Sequence, residues 1–177
     1  MKDILLVVTG SIAAYKACEF TRLLVKEGFN VHVAMTKAAT EFVGEVTFRT
    51  LSRNPVYIDQ FAQPADWRPE HVALAELCET VIVLPASADF IAKMAYGFAD
   101  DGPSSVILAH RGRKIVAPAM NDGMWEASAT KENIQKLKDR GVEVIYPTEG
   151  ELACGKCGLG RLAPLEEILK IVKNENV

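Results

Sequence analysis

The sequence predicts an α/β fold: a doubly wound parallel sheet with helices on both faces. Short runs of β-branched residues alternate along the chain with amphipathic segments, and a turn or polar loop follows each run. The runs are almost wholly apolar, which is typical of strands that are buried on both faces. The chain has 177 residues, which suits one domain over residues 1–177 that can bury its own core. These observations favour a single-domain, Rossmann-like or flavodoxin-like architecture.

Five strands and several helix boundaries follow from the pattern in chain order. The strands are expected at residues 4–8, 31–35, 81–84, 115–117 and 142–145. The first helix begins near Ala13 and ends at Gly28, a residue suited to a C-cap. A later helical stretch is interrupted at Asp100, and Pro103 is placed to begin the next helix. Residues 148–163 are expected to form a mobile loop because they contain Gly150, Gly155, Gly158 and Gly160.

The charge of the chain limits its classes of partner. The formal net charge is −3, and both signs are interspersed, so there is no basic patch for nucleic acid or a membrane surface. The apolar run at residues 4–8 is bounded by Asp3 and by a turn at Thr9, which makes it a poor signal peptide. No apolar run approaches the ~20 residues that span a bilayer. We therefore expect a soluble, cytoplasmic protein with a small-molecule partner.

The turn between the first strand and the first helix is a candidate phosphate site. Thr9-Gly10-Ser11 places backbone N–H groups and a hydroxyl at a helix start. The dinucleotide fingerprint G-x-G-x-x-G is absent and the second strand leads into Thr36 instead of an acidic residue, which disfavours NAD. The Thr36 hydroxyl offers a second phosphate contact and suits a mononucleotide such as FMN. An ordinary turn with Ser11 as a helix cap is the alternative.

His71 is a candidate general base. It lies at the predicted start of a helix, where the positive end of the helix dipole disfavours the imidazolium form and keeps the ring able to accept a proton. A surface histidine without a catalytic role is the alternative. His32 and His110 have no supporting context.

Cys154 and Cys157 form a C-x-x-C pair within the glycine-rich segment. No second pair completes a tetrahedral zinc site, and the segment does not begin a helix as a thioredoxin-like dithiol would, so we expect neither a metal nor a redox motif. Cys18 and Cys78 lie in helix-like apolar patterns and are expected to be buried. The segment, with its thiol and Arg161, has the character of a lid that closes over a substrate at about residues 148–163.

One further segment carries a Pro, an Asn, a Gly and large apolar side chains directly after a predicted strand. It reads P-A-M-N-D-G-M-W at residues 118–125, at the end of a strand where open α/β sheets bind ligands. With this segment, the chain resembles the homo-oligomeric flavin-containing cysteine decarboxylases over nearly its whole length. The resemblance also rests on the helix of His71 and on G-S-I-A-A-Y-K at 10–16, P-A-S-A at 85–88, G-F-A-D-D at 97–101 and L-A-C-G at 152–155.

The resemblance implies an FMN cofactor, no metal, and a site assembled from several turns. The FMN contacts of the family match Gly10, Ser11, Ile12, Thr36, Ser87, Ala88 and Ala119. His71 matches the family's base, Asn121 the group that binds the substrate carboxylate, and Cys154 the late proton donor. Substrate contacts are further expected at Met120, Glu151 and Ala153.

The resemblance also implies the reaction and the assembly. The expected reaction is decarboxylation of 4'-phosphopantothenoylcysteine to 4'-phosphopantetheine in coenzyme A biosynthesis, through a thioaldehyde and an enethiol that is finally reduced. Cys154 favours this reductive outcome over that of the peptidyl-cysteine decarboxylases, which release the oxidised enethiol. Family members form trimers or dodecamers of trimers, so a homo-oligomer is expected. Because the sequence ends at Val177 without a synthetase domain, we expect a monofunctional enzyme.

Two departures from the family pattern leave other readings open. Asp89-Phe90 replaces the usual Asn-Thr, and Gly102-Pro103 replaces Leu-Leu. Asp89 could cap a helix as Asn does, or could place an anion near the flavin or the substrate carboxylate. The alternatives are a related flavoprotein acting on another carboxylate, such as a peptidyl-cysteine decarboxylase or a flavin prenyltransferase-like enzyme, and a non-catalytic flavin-binding subunit.

Overall fold

A computed structural model describes residues 2–61, 67–151, 153, 155 and 157–174. Its main sheet contains six strands: β1 (Asp3–Val8), β2 (Asn30–Met35), β3 (Val56–Tyr57), β4 (Thr80–Ala86), β5 (Arg113–Pro118) and β6 (Glu143–Val144). All neighbouring strands are parallel and their order is β3-β2-β1-β4-β5-β6. This is the Rossmann order, and without the two-residue β3 it is the flavodoxin order. The predicted doubly wound sheet is confirmed.

The helices cover both faces of this sheet. They are α1 (Ala14–Lys26), α2 (Lys37–Thr40), α3 (Glu45–Ser52), α4 (Glu70–Leu77), α5 (Ala88–Tyr96), α6 (Gly102–Ala109), α7 (Asp122–Glu126), α8 (Ser128–Asp139) and α9 (Leu165–Lys173). Gly28 follows α1 with φ at +84°, a left-handed conformation that glycine adopts without strain. At the start of α6, Asp101 accepts a hydrogen bond from the Ser104 N–H at 2.8 Å. Pro103 is the second residue of α6, close to the predicted start.

Alternating residues of each central strand enter two separate cores. In β1, Ile4, Leu6 and Val8 pack with α1 and α9 on one face, while Leu5 and Val7 pack with α4, α5 and α6 on the other. Side chains of a strand alternate between faces, and here both faces are apolar. The central strands are uninterrupted apolar runs in the sequence because both of their faces are buried in a core. None of the described helices is long and apolar enough to cross a membrane.

The glycine-rich segment contains an antiparallel ribbon where the sequence predicted an irregular loop. Its strands are β7 (Thr148–Glu151) and β8 (Cys157–Arg161). A Cβ atom at Gly158 would lie 2.9 Å from the Cβ of Asp122, and one at Gly160 would clash with the carbonyl oxygen of Met120. The loop prediction is wrong for these strands because the glycines permit close backbone approach rather than marking irregular chain.

Candidate active site

A crevice of about 740 Å³ opens at the carboxyl ends of β1, β4 and β5. This is where the strand order reverses direction from β1 to β4, the position at which doubly wound sheets bind ligands. The ribbon of β7 and β8 forms a further wall. Predicted site residues that line it are Gly10, Ser11, Ile12, Ser87, Ala88, Ala119, Met120, Asn121, Glu151 and Ala153.

The turn from β1 to α1 presents to this crevice backbone donors that find no acceptor in the described part of the chain. Ser11 donates from its hydroxyl to the Ala119 carbonyl at 3.3 Å and accepts from the Ala13 N–H at 3.3 Å. Over the described part of the chain, the N–H groups of Ser11 and Ile12 donate to no protein acceptor. A Cβ atom at Gly10 would lie 2.7 Å from the Cβ of Ala38, so the turn sits close against α2. The free donors at the start of α1 suit an anion such as a phosphate.

Thr9 joins this turn to the turn after β4. Its side chain is almost completely buried, with 1% of the residue exposed. The hydroxyl donates to the Pro85 carbonyl at 2.7 Å and accepts from the Ser87 N–H at 2.9 Å. The sequence places Thr9 in the candidate phosphate turn but does not predict this linking role, for which a hydroxyl at the end of a wholly apolar strand is the available signal.

The loop after β5 is held by neighbours on both sides. The Ala119 N–H donates to the Ala86 carbonyl at 3.2 Å, and the Met120 N–H donates to the Gly160 carbonyl at 3.0 Å. The Asn121 Oδ1 accepts from the Gly123 N–H at 2.9 Å and so caps α7. Because the oxygen end of this amide faces the backbone, its nitrogen end is the part suited to donate to an anion.

Two predicted site residues do not line the crevice, and a third lies outside the described residues. Thr36 is buried and caps α2, accepting from the Ala39 N–H at 3.2 Å, and it does not line the crevice. His71 is the second residue of α4 as predicted, is half-buried, and does not line the crevice of its own chain. Cys154 lies outside the described residues. The roles assigned to these three residues stay predictions.

Asp89 faces a lysine and does not line the crevice. The Lys93 Nζ lies 3.7 Å from an Asp89 carboxylate oxygen, 3.1 Å from Asp100 and 3.5 Å from Asp101. Partial burial alone lowers the pKa of Lys93, but the hydrogen bond to Asp100 and the charges of the other two carboxylates outweigh it and raise that pKa. Of the two possibilities that the sequence left open for Asp89, the helix cap is not the one found, because the Ser87 hydroxyl caps α5 by accepting from the Phe90 N–H at 3.2 Å.

The two described cysteines outside the glycine-rich segment, Cys18 and Cys78, are packing residues. Cys78 is buried, and desolvation raises the pKa of its thiol to about 12, so it is an unreactive packing residue. Cys18 is half-buried and desolvation also raises its pKa. Cys157 is exposed on the ribbon. Over the described residues, no group of three or more His, Cys, Asp or Glu side chains is arranged to hold a metal ion.

The fold and the crevice define an α/β protein of the doubly wound class, which binds its ligands at the switch point of the sheet. The profile of the Flavoprotein family matches residues 1–176, and the chain belongs to that family. It is 42% identical over 176 residues to the probable phosphopantothenoylcysteine decarboxylase of Streptococcus mutans, covering 98% of both chains. It is 43% identical over 172 residues to the coenzyme A biosynthesis bifunctional protein CoaBC of Bacillus subtilis, covering 97% of this chain but 42% of that protein.

Solved structures match the whole fold. A PPC decarboxylase mutant complexed with pantothenoylaminoethenethiol superposes with a TM-score of 0.88 at 25% identity, over 98% of this chain and 97% of that one. The FMN-dependent cysteine decarboxylase SpaF superposes with a TM-score of 0.85 at 25% identity, over 97% of this chain and 94% of that one. The predicted family resemblance is confirmed by these matches.

Proposed function

We propose that the protein is an FMN-dependent carboxy-lyase that converts 4'-phosphopantothenoylcysteine to 4'-phosphopantetheine in coenzyme A biosynthesis. The observation that carries the proposal is that one crevice contains both the Asn121 amide and the first-turn N–H groups that have no acceptor among the described residues. The similarity to the Streptococcus mutans protein along its whole length supports this substrate. A cytoplasmic location is consistent with coenzyme A biosynthesis and belongs to the proposal.

The residues present fit FMN. The N–H groups of Ser11 and Ile12 would hold its phosphate, and the small residues Ser87, Ala88 and Ala119 leave room beside them for a flat ring. Bound FMN would supply a two-electron acceptor for the carbon that bears the substrate thiol, and would return the electrons after carbon dioxide has left. Thr9 fixes the two turns that flank this position through its paired hydrogen bonds.

Asn121 would hold the carboxylate that is lost. A neutral amide orients the carboxylate by hydrogen bonding without the fixed positive charge that would stabilise the ground-state anion and oppose its departure. Met120, Glu151 and Ala153 line the same part of the crevice and would contact the substrate. His71 would accept the thiol proton, and Cys154 would donate a proton to the enethiol at the end of the reaction.

We further propose that the active assembly is a homo-oligomer built from trimers, either a trimer or a dodecamer. His71 does not line the crevice of its own chain, so a neighbouring copy would bring its His71 there. Apolar side chains beside the crevice support such an interface: Ile12 is 58% exposed, Tyr15 61% and Met124 48%.

The reaction is tested with purified protein and 4'-phosphopantothenoylcysteine. We expect yellow protein and a product that has lost one carbon dioxide, observed by mass spectrometry. Asn121→Ala should remain yellow but lose about 100-fold or more in kcat/KM, because a transition-state contact has been removed. Yellow protein that leaves this substrate unchanged but decarboxylates a peptide with a C-terminal cysteine would instead assign the related peptide reaction. Colourless protein would contradict the flavin assignment.

The shared site is tested by combining two inactive variants. His71→Asn lacks the base and Asn121→Ala lacks the carboxylate contact, and co-expression gives mixed oligomers. If each site takes its two residues from two copies, random assembly restores about a quarter of the sites. Each variant expressed alone is the control. Mixed oligomers without activity, or a monomer in equilibrium sedimentation, would contradict the assembly.

A further inference from the structure

Two cationic side chains line the crevice, and neither has a partner among the described residues. Lys16 lies in the first turn of α1, and Arg161 is the last residue of β8. Some other cations are paired, for example Arg113 with Glu143 and Lys173 with Glu27. In the described ranges, the side chains of Lys16 and Arg161 make no ion pair or hydrogen bond. Unpaired cations in a concave site favour anionic ligands.

The Arg161 side chain lies across the ribbon, next to Gly150. A Cβ atom at Gly150 would lie 3.0 Å from both the Cδ and Nη1 atoms of Arg161, so the arginine stem occupies the space that a side chain at position 150 would need. The next residue back, Gly160, accepts a hydrogen bond from the Met120 N–H at 3.0 Å. The β8 backbone is therefore held against the loop that carries Asn121, and the Arg161 side chain extends from it across the ribbon towards Gly150.

The two cations belong to different parts of the crevice. Lys16 is on the helix that begins at the turn proposed for the FMN phosphate, whereas Arg161 is on the ribbon, which also carries the proposed substrate contact Glu151. The proposed function gives the crevice two occupants that each carry a phosphate. Glu151, the last residue of β7, also lines the crevice, and its negative charge repels a phosphate bound next to it.

Resting on the proposed function, we propose that Arg161 binds the 4'-phosphate of the substrate and makes the enzyme selective for the phosphorylated form. Its planar guanidinium can donate two parallel hydrogen bonds to a phosphate, which a lysine cannot. Gly150 is a positioning residue, because it leaves the space in which the Arg161 side chain lies. Lys16 is assigned to the flavin side and does not select the substrate.

The test compares phosphopantothenoylcysteine with pantothenoylcysteine, which lacks only the phosphate. The measured quantity is the ratio of their kcat/KM values. Arg161→Ala should lower the ratio by about 10- to 100-fold, as expected for the loss of hydrogen bonds to a charged group. Arg161→Lys should give an intermediate ratio, and Gly150→Ala should lower the ratio with Arg161 still present. Lys16→Ala is the matched control: it also removes one crevice cation, and its ratio should stay that of the wild type.

A ratio that is unchanged in Arg161→Ala, or that falls equally in Lys16→Ala, would overturn the assignment. A binding measurement separates it from the proposed function: calorimetry of 4'-phosphopantetheine and pantetheine with the flavin-loaded protein needs no turnover. One outcome would contradict the proposed reaction but support the phosphate site. In it, wild-type protein turns over neither substrate, yet binds the phosphorylated ligand more tightly than pantetheine, and this preference depends on Arg161. Equal affinity for the two ligands in wild-type protein would overturn the phosphate site.

Discussion

The Met120 N–H donates a hydrogen bond to the Gly160 carbonyl oxygen at 3.0 Å. This contact attaches the ribbon of β7 and β8 to the loop that follows β5. The residues next to the two partners are Asn121 and Arg161, and both line the crevice. This backbone hydrogen bond therefore joins the loop and the ribbon that carry the two residues we assign to the substrate.

Substitution of Gly160 should separate these two groups. A Cβ atom at this position would clash with the Met120 carbonyl oxygen, which is backbone and cannot rotate away. We expect Gly160→Ala to lower kcat/KM by about tenfold or more, because small displacements of positioning groups are costly. Gly44→Ala is the control, since its φ is −69° and no atom lies within 4 Å of the added Cβ. Wild-type kinetics in Gly160→Ala would show that the contact is dispensable.

Thr9 should be needed both for stability and for flavin retention. Thr9→Val keeps the shape of the side chain but leaves the Pro85 carbonyl and the Ser87 N–H without their partner in a buried place. We expect a loss of ~2–3 kcal/mol in the free energy of unfolding, measured with urea, and a lower ratio of bound FMN to protein. Thr9→Ser retains the hydroxyl and should keep most of the bound flavin. Equal flavin content in Thr9→Val and wild type would refute the positioning role.

The sequence was sufficient to predict the elements whose cause is local. The runs at residues 4–8, 81–84 and 115–117 became strands because their residues are apolar on both faces, whereas the run at 142–145 became only the two-residue β6. The loop at Asn121 follows β5 at the switch point as expected. The sequence alone did not predict which residues that are distant along the chain come into contact in the fold. Gly158 and Gly160 indicated an irregular loop, since the approach of Asp122 and Met120 is visible only in the folded chain. Asp89 indicated a cap or an anion near the ligand, because the convergence of two further carboxylates on Lys93 depends on tertiary structure.

Asp89 should have little effect on flavin binding. Its carboxylate lies near Lys93 and outside the crevice lining, so Asp89→Asn should change the Kd for FMN by less than about twofold. Flavin fluorescence titration gives this value directly. A tenfold tightening in Asp89→Asn would mean that the carboxylate does oppose the flavin phosphate.

Lys93 should matter more for stability than Asp89 does. Lys93→Met leaves three carboxylates near one another without their shared cation, and we expect it to cost ~1–2 kcal/mol at pH 7. Because the folded pKa of Lys93 is raised, its contribution is present in full below the ordinary value of 10.5 and is lost as the pH rises through the folded pKa. Urea unfolding at pH 7 measures the difference. Arg49→Met, which breaks an exposed pair with Glu45, is the control and should cost less than ~0.5 kcal/mol.

The pair of Arg113 and Glu143 should make stability depend on pH in the acid range. Arg113 donates to both carboxylate oxygens of Glu143, at 2.6 and 2.7 Å, and also to the Ile171 and Val172 carbonyls in the last turn of α9. The hydrogen bonds from Arg113 hold the pKa of Glu143 below its ordinary value of 4.5. A lowered carboxylate pKa stabilises the fold above the unfolded value, and this stabilisation is lost as the pH falls through the folded value.

Glu143→Gln should therefore be less stable than wild type at pH 7 and converge with it in acid. The side chain of Glu143 is 45% exposed, so solvent screening limits the expected difference at pH 7 to ~1 kcal/mol. The measurement is the free energy of urea unfolding of both proteins in steps from pH 7 to below the folded pKa of Glu143. Glu132→Gln is the control, because Glu132 is exposed on α8 and makes no ion pair with any described residue. A difference between wild type and Glu143→Gln that stays constant over this range would show that packing, and not the charge of Glu143, causes it.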